Sequence, residues 1–220
     1  MNTGRPLVFI ERAIPGIEAD VVKVDDVVGG CLAAKHLIQL GHRRIGVVAM
    51  PLAMAPSSDR VAGVRRALRE AGLTLDEDMI AVAQFSEQEG FAAARRLLMH
   101  QPRPDALVAC SLRLTTGVPA AIRRAELRVP DDVALVGYDD LPWALLCNPP
   151  LTVIEQPTRE RGRIAAGLLL SRLSGARSNG PVTEVLEPRL LVRQSCGAQS
   201  GDGLEFFEPD AEEPGSRTAE

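Results

Sequence analysis

Eight short apolar runs, at 7–10, 21–24, 45–49, 80–82, 106–109, 133–136, 152–154 and 190–192, alternate with helical patterns through most of this 220-residue chain. That alternation constrains the fold more than any other feature. Runs of three to five apolar residues rich in Val, Ile, Leu and Ala suit strands buried on both faces. The intervening segments carry helix boundaries. "DDVVGGCLAAKHLIQLG" offers Asp25 or Asp26 as N-cap and Gly41 as a terminating glycine. "SSDRVAGVRRALREAG" starts at Ser57 or Ser58 and repeats Val61, Val64 and Leu68 along one stripe. In "SEQEGFAAARRLLMH", Ser86 and Glu89 form a capping box. "SLRLTTGVPAAIRRAEL" can begin at Ser111, with Pro119 calling for a late start or a kink, and "PTRERGRIAAGLLLSRLSG" runs from Pro157 or Thr158 to Gly175. Buried strands separated by helices predict an α/β fold with parallel sheet covered on both faces.

Charge is distributed unevenly. Of the net −4, the segment from Asp202 onward carries −6, which leaves +2 for residues 1–201. A body so near neutrality lacks the basic footprint of a direct nucleic-acid binder. The Gly-, Pro- and Glu-rich tail from about Cys196 to Glu220 is expected to be disordered. No apolar stretch reaches the length of a membrane span, and the N-terminus is charged too early for a secretory signal, which predicts a cytoplasmic protein without membrane partners. Cys31, Cys110, Cys147 and Cys196 lie far apart and His42 stands alone near a helix end, so neither a metal site nor a cofactor is expected. Motifs for a serine nucleophile elbow, a dinucleotide or a P-loop are absent from the sequence. The adjacent Asp139 and Asp140 invite a general acid/base reading, but neighbours at a strand end project differently. The chain is read as a binding protein, not an enzyme.

In an open parallel sheet, ligands bind beyond the carboxyl ends of the strands. The loops after the runs at 45–49, 80–82, 106–109 and 133–136 should therefore line one mouth, with Arg60, Phe85, Ser111, Tyr138, Asp139 and Trp143 around it. A guanidinium, a carboxylate, a hydroxyl and aromatic planes suit a small polar ligand.

Several segments, in this order, resemble the effector-binding core of LacI/GalR-type transcriptional regulators: "DDVVGGCLAAKHLIQLGHRRIGVVAMP", "SSDRVAGVRRALREAGL", "FSEQEGFAAARRLL", "PRPDALVAC", "LRVPDDVALVGYDDLPWALLCNPPLTVIEQP" and "GRIAAGLLL". The likeness runs from about Arg5 to Ser195. It implies a type I periplasmic-binding-protein-like fold: two αβ lobes joined by three crossovers, with the ligand between them. Residues 25–155 plus 187–195 correspond to a nearly complete C-terminal lobe, and residues 1–24 plus 156–186 to a partial N-terminal lobe. The resemblance implies a homodimer, a sugar-like effector and control of transcription. Operator DNA would be reached only through a helix-turn-helix headpiece that this sequence does not contain. A free-standing solute-binding protein is the alternative.

The resemblance also implies site residues. Arg60 stands where the family holds a ligand oxygen, Asp139 where an acid accepts from sugar hydroxyls, Phe85 where an aromatic stacks, and Glu11 at an acidic position beside the ligand. Asp140 is expected to hold the loop, and Trp143 to pack or to line a dimer contact. After the run at 106–109 the family usually has Asn-Asp. Here Ser111 and Leu112 stand instead, which removes an amide from the site and leaves Ser111 to replace a helix cap. Finally, apolar residues at 7–10 and 164–170 are expected to lack sheet neighbours, which predicts self-association.

Overall fold

A computed structural model describes residues 6–176 and 180–198. Of the tail from about Cys196, for which disorder is expected, residues 199–220 lie outside the described residues, and the start is corrected: Cys196 is fully buried, with its Sγ 3.1 Å from His36 Nε2 and 3.2 Å from Thr152 Oγ1. Among the described residues, nine strands form two sheets: β1 (Val8–Ile10), β2 (Asp20–Val24), β3 (Ile45–Ala49), β4 (Ile80–Val82), β5 (Ala106–Ala109), β6 (Ala134–Tyr138), β7 (Thr152–Glu155), β8 (Thr183–Leu186) and β9 (Arg189–Leu191). The larger sheet has the order β4-β3-β5-β6-β7-β9 and the smaller the order β1-β2-β8. The chain passes between the sheets three times, after β2, β7 and β8.

The larger sheet follows directly from its sequence. Every residue of β3, β5 and β6 is buried, as continuous apolar runs require. Helices α1 (Asp26–Gln39) and α2 (Ala55–Glu70) cover one face; α3 (Glu87–Leu98) and α4 (Leu112–Arg124) cover the other. α1 and α2 approach so closely that a Cβ at Gly30 would collide with the Arg60 carbonyl, and one at Gly63 with the Val27 carbonyl. Glycine at the crossing is what lets the two backbones meet and fixes where Arg60 starts.

Four further expectations are corrected. The sheets are not wholly parallel: β9 runs antiparallel to β7, pairing Ile154 with Leu190, because the short return from β8 brings the chain back against the edge of β7. β8 was not anticipated, since three of its four residues are exposed and it carries little apolar signal. α2 begins at Ala55 instead of Ser57, with Pro56 in its first turn; the Ser57 hydroxyl turns to the Met50 carbonyl (2.7 Å) rather than capping the helix. α4 starts at Leu112 and continues through Pro119, neither starting late nor ending there. The short helix α5 (Pro142–Leu146) lies in the loop after β6, followed by α6 (Thr158–Leu173) beside the smaller sheet. Asp25 caps α1 by accepting from Val28, and Ser86 caps α3 by accepting from Glu89.

Candidate functional site

A cavity of about 600 Å³ lies beyond the carboxyl ends of β3 to β7, closed from the other side by the loop after β1 and the first turns of α6. Glu11, Arg60, Phe85, Ser111 and Asp139 all line it. Tyr138 and Trp143, expected at the same mouth, do not. β6 extends two residues further than its apolar run, so Tyr138 is inside the sheet and 1% exposed; Trp143, on α5, packs partly buried against the core.

Arg60 is held on three sides. Its Nε donates to Asp26 Oδ1 (2.7 Å), its Nη1 donates to the Cys110 carbonyl (2.7 Å), and the guanidinium sits 4.3 Å above the Tyr138 ring. Its Nη2 lies 3.9 Å from Glu11 Oε1. A charge-assisted pair of this kind is rigid as well as strong. Burial pushes the Asp26 carboxyl above its ordinary value, with Arg60 opposing. The Cys110 thiol beside it is pushed up to about 12 by burial, so it is not a nucleophile.

Asp139 and Glu11 share an unusual backbone. Both take left-handed conformations, φ +67° and +72°, that non-glycine residues avoid. Backbone pairing holds each there: Asp139 N–H donates to the Ile154 carbonyl and Glu11 N–H to the Val22 carbonyl. Such strain persists where the surroundings over-determine it. The result is that two acids from different sheets face one cavity. They are joined by a relay: Gln156 Nε2 donates to Asp139 Oδ1 (2.6 Å), and Arg161 Nη1 lies 3.3 Å from Gln156 Oε1 and 3.4 Å from Glu11 Oε1. Asp140 also lines the cavity, but both its oxygens are taken by a bidentate pair with Arg193 (2.8 Å to each oxygen). The two adjacent acids thus serve separate partners.

Ser111 lines the cavity, but its hydroxyl accepts from the Leu114 amide (3.4 Å) as the cap of α4. Phe85 is 60% exposed at the mouth. Sequence reasoning missed Asp26 as the partner of Arg60, and it missed Gln156 and Arg161. Asp26 read as a capping alternative, and Gln156 and Arg161 gain meaning only when α6 swings them toward β6. Reasoning from spacing also missed His36 Nε2, which lies 3.1 Å from Cys196 Sγ across 160 residues of sequence. No group of three or more His, Cys, Asp and Glu among the described residues is placed to hold a metal ion. Nor is any helix among them long and apolar enough to cross a membrane.

Residues 34–196 match the periplasmic binding protein-like domain. The chain belongs to that family. Among relatives of this periplasmic binding protein-like domain, the HTH-type transcriptional regulator CelR of Thermobifida fusca is 40% identical over 192 residues, 87% of this chain and 55% of CelR. The chain thus spans about half the length of the curated relatives it matches. Among solved structures, a CelR–cellobiose complex superposes with a TM-score of 0.81 at 39% identity, covering 87% of this chain and 59% of that one. A LacI-family regulator from Enterococcus faecium with bound ribose gives 0.77 at 29% identity, covering 87% and 70%. The resemblance to LacI/GalR-type sensor domains therefore stands, and with it the α/β fold. Its relatives are transcriptional regulators and not enzymes.

Proposed function

We propose that this chain is the effector-binding domain of a transcriptional regulator and that its effector is a hydroxyl-rich small molecule held in the 600 Å³ cavity. The observation that carries the reading is the convergence on that cavity of Glu11, Phe85, Ser111 and Asp139 from four loops of both sheets and of Arg60 from α2. Their chemistry suits hydroxyl groups. Asp139 has one oxygen committed to Gln156 and the other available to accept; Arg60 and Arg161 donate; Phe85 offers a ring face. The sugars named with CelR and the Enterococcus faecium regulator give this chain its first ligands to try.

In this reading residues 25–155 plus 187–195 act as one lobe and residues 1–24 plus 156–186 belong to the other. A ligand that touches both acids of the Asp139–Gln156–Arg161–Glu11 relay favours one lobe arrangement over another. Only that difference in affinity can be passed on as a change in DNA binding. DNA contact falls to the part of such regulators that the chain does not span. A cytoplasmic homodimer completes the proposal, supported by the kinship with soluble regulators.

Titration calorimetry with a panel of neutral mono- and disaccharides, including ribose and cellobiose, tests it. The expected result is saturable binding by at least one sugar, weakened about tenfold or more by Asp139→Asn, which removes a charged acceptor without changing shape. Binding that both Asp139→Asn and Gln156→Ala leave intact would remove the ligand from this cavity.

A further inference from the structure

The cavity is polarised along the strand order, and that polarity specifies what kind of ligand fills it. In the sequence β4-β3-β5-β6-β7, the loops after the first three strands contribute Met50, Met54 and Pro56, then Phe85, then Ser111 and Leu112. Five of these six are apolar. The sixth, Ser111, is 3% exposed and its hydroxyl is already bound to the Leu114 amide. The nearby Ser57 hydroxyl is likewise bound, to the Met50 carbonyl. Arg60, on α2 after β3, also lines the cavity, but its guanidinium reaches over the Tyr138 ring of β6 and comes within 3.9 Å of Glu11 Oε1. The loops after β6 and β7, with those of the smaller sheet, contribute Asp139, Asp140, Gln156, Glu11 and Arg161, with Leu141 as an apolar exception. Adjacent strands stand about 4.8 Å apart, so the β4 and β7 loops are separated by about 19 Å. One end of the cavity therefore carries the hydrogen-bonding groups and the other carries almost none.

A ligand with hydroxyls all round would leave some of them against Met54, Leu112 and Phe85 without partners, and unpaired buried hydroxyls weaken binding steeply. A lone sugar ring would leave the apolar end to water, although the volume is that of a cleft for larger ligands, within about 300–1,000 Å³. Phe85, a large aromatic 60% exposed at this end, gains most from an apolar partner. We infer that the effector is amphipathic: a glycoside with an apolar, ring-sized aglycone, its sugar at Asp139 and Gln156 and its aglycone against Phe85, Met54 and Leu112. This inference rests on the sugar-like reading above and narrows it.

Matched methyl and phenyl glycosides of glucose, galactose and ribose, in both anomeric forms, are titrated into the chain alongside cellobiose. For the sugar that binds, the phenyl glycoside is expected to bind about tenfold tighter or better than the methyl glycoside, as burying a phenyl ring against apolar side chains requires. Phe85→Ala and Leu112→Asn should each shrink that ratio, the former without risk to folding because the side chain is exposed. Equal affinities for methyl and phenyl glycosides, or cellobiose binding more tightly than phenyl glucoside, would overturn the amphipathic assignment alone. Failure of every glycoside to bind would overturn the sugar-like reading beneath it, and this inference with it.

Discussion

The two sheets are built from the same alphabet and by the same βα rule, yet they differ in how completely they are buried. The six-stranded sheet is covered on both faces, and Val47, Leu107, Val108 and Leu135 in it are no more than 1% exposed. Among the described residues, the buried cluster against the three-stranded sheet is small: Val22, Ala165 and Leu168. Its edge strand β8 is largely open, and α6 leaves Leu170 and Leu173 more than 60% exposed. Apolar pattern becomes a core only where a second layer exists to receive it. The cavity lies between a well-covered half and a sparsely covered, hence softer, one, and the difference can be measured.

Among the described residues, each half has one ion pair whose carboxylate is buried, and breaking both compares them most sharply. In the large sheet, Asp26→Ala leaves the Arg60 guanidinium buried without its carboxylate, a lesion expected to cost about 3–5 kcal/mol of global stability in urea denaturation. In the small sheet, Asp20 binds Arg172 with both oxygens (2.7 and 2.8 Å) and accepts from the Val182 amide (2.9 Å). Asp20→Ala should release amide exchange in β1, β2 and β8 while leaving the global urea midpoint nearly unmoved. Equal shifts of that midpoint by both variants would show that the sheets unfold as one unit.

Cavity-creating substitutions sharpen the same contrast at smaller scale. Leu107, fully buried at the centre of β5, should cost about 3 kcal/mol when changed to alanine. Leu168→Ala removes the same atoms from a site with few partners and should cost on the order of 1 kcal/mol. Urea midpoints of the two variants decide it. A Leu168→Ala loss as large as that of Leu107→Ala would mean that the small core is as well packed as the large one.

The same contrast explains what the sequence made legible. Strands β3, β5 and β6 announce themselves because each is buried on both sides and so reads as an apolar run. β8, whose residues Thr183, Glu184 and Val185 are exposed, has no such signature; it is a strand because β2 offers it an edge, a fact of tertiary structure. The cavity follows the same rule. Arg60, Phe85, Ser111 and Asp139 could be placed together because all sit at carboxyl ends of one parallel sheet, where loops must converge. Tyr138 was misplaced because β6 runs two residues past its last branched residue, turning the ring inward under Arg60. Gln156 and Arg161 belong to a chain segment that changes sheets, and local pattern holds no record of where such a segment lands.

Exposed apolar surface on the soft half predicts association. Ile10, Ile14, Leu170 and Leu173 are each at least half exposed. Light scattering across a concentration series should show the chain self-associating, and Leu170→Lys with Leu173→Lys should shift it toward monomer with little change in the large sheet. Matching charge substitutions at Leu146 and Met99, which are still more exposed and lie on the other half, serve as the comparison. If they relieve association as well as the α6 pair does, the small sheet is not its source.

The smallest effect is one of pH, and it too separates the halves. All three histidines belong to the large sheet's portion of the chain; residues 6–24 and 156–186 contain none. His42 hydrogen-bonds toward Asp105, which raises its pKa above 6.5 against the effect of burial. His36, against Cys196, is lowered, first by burial and then by the charge of His42. A raised imidazole contributes stability that is whole below the unfolded value and fades as pH climbs through the folded one. A lowered imidazole contributes stability that is whole above the unfolded value and fades as pH falls. The two therefore oppose each other around neutrality. His42→Gln should steepen the gain in stability with rising pH, because only the His36 contribution remains, and His36→Gln should reverse the slope. Amide exchange in β1 and β2, corrected for intrinsic rates, should show no such dependence between about pH 6 and 8, since residues 6–24 contain no histidine. A slope in β2 that follows the His42 variant would mean that the small sheet draws its stability from the large one.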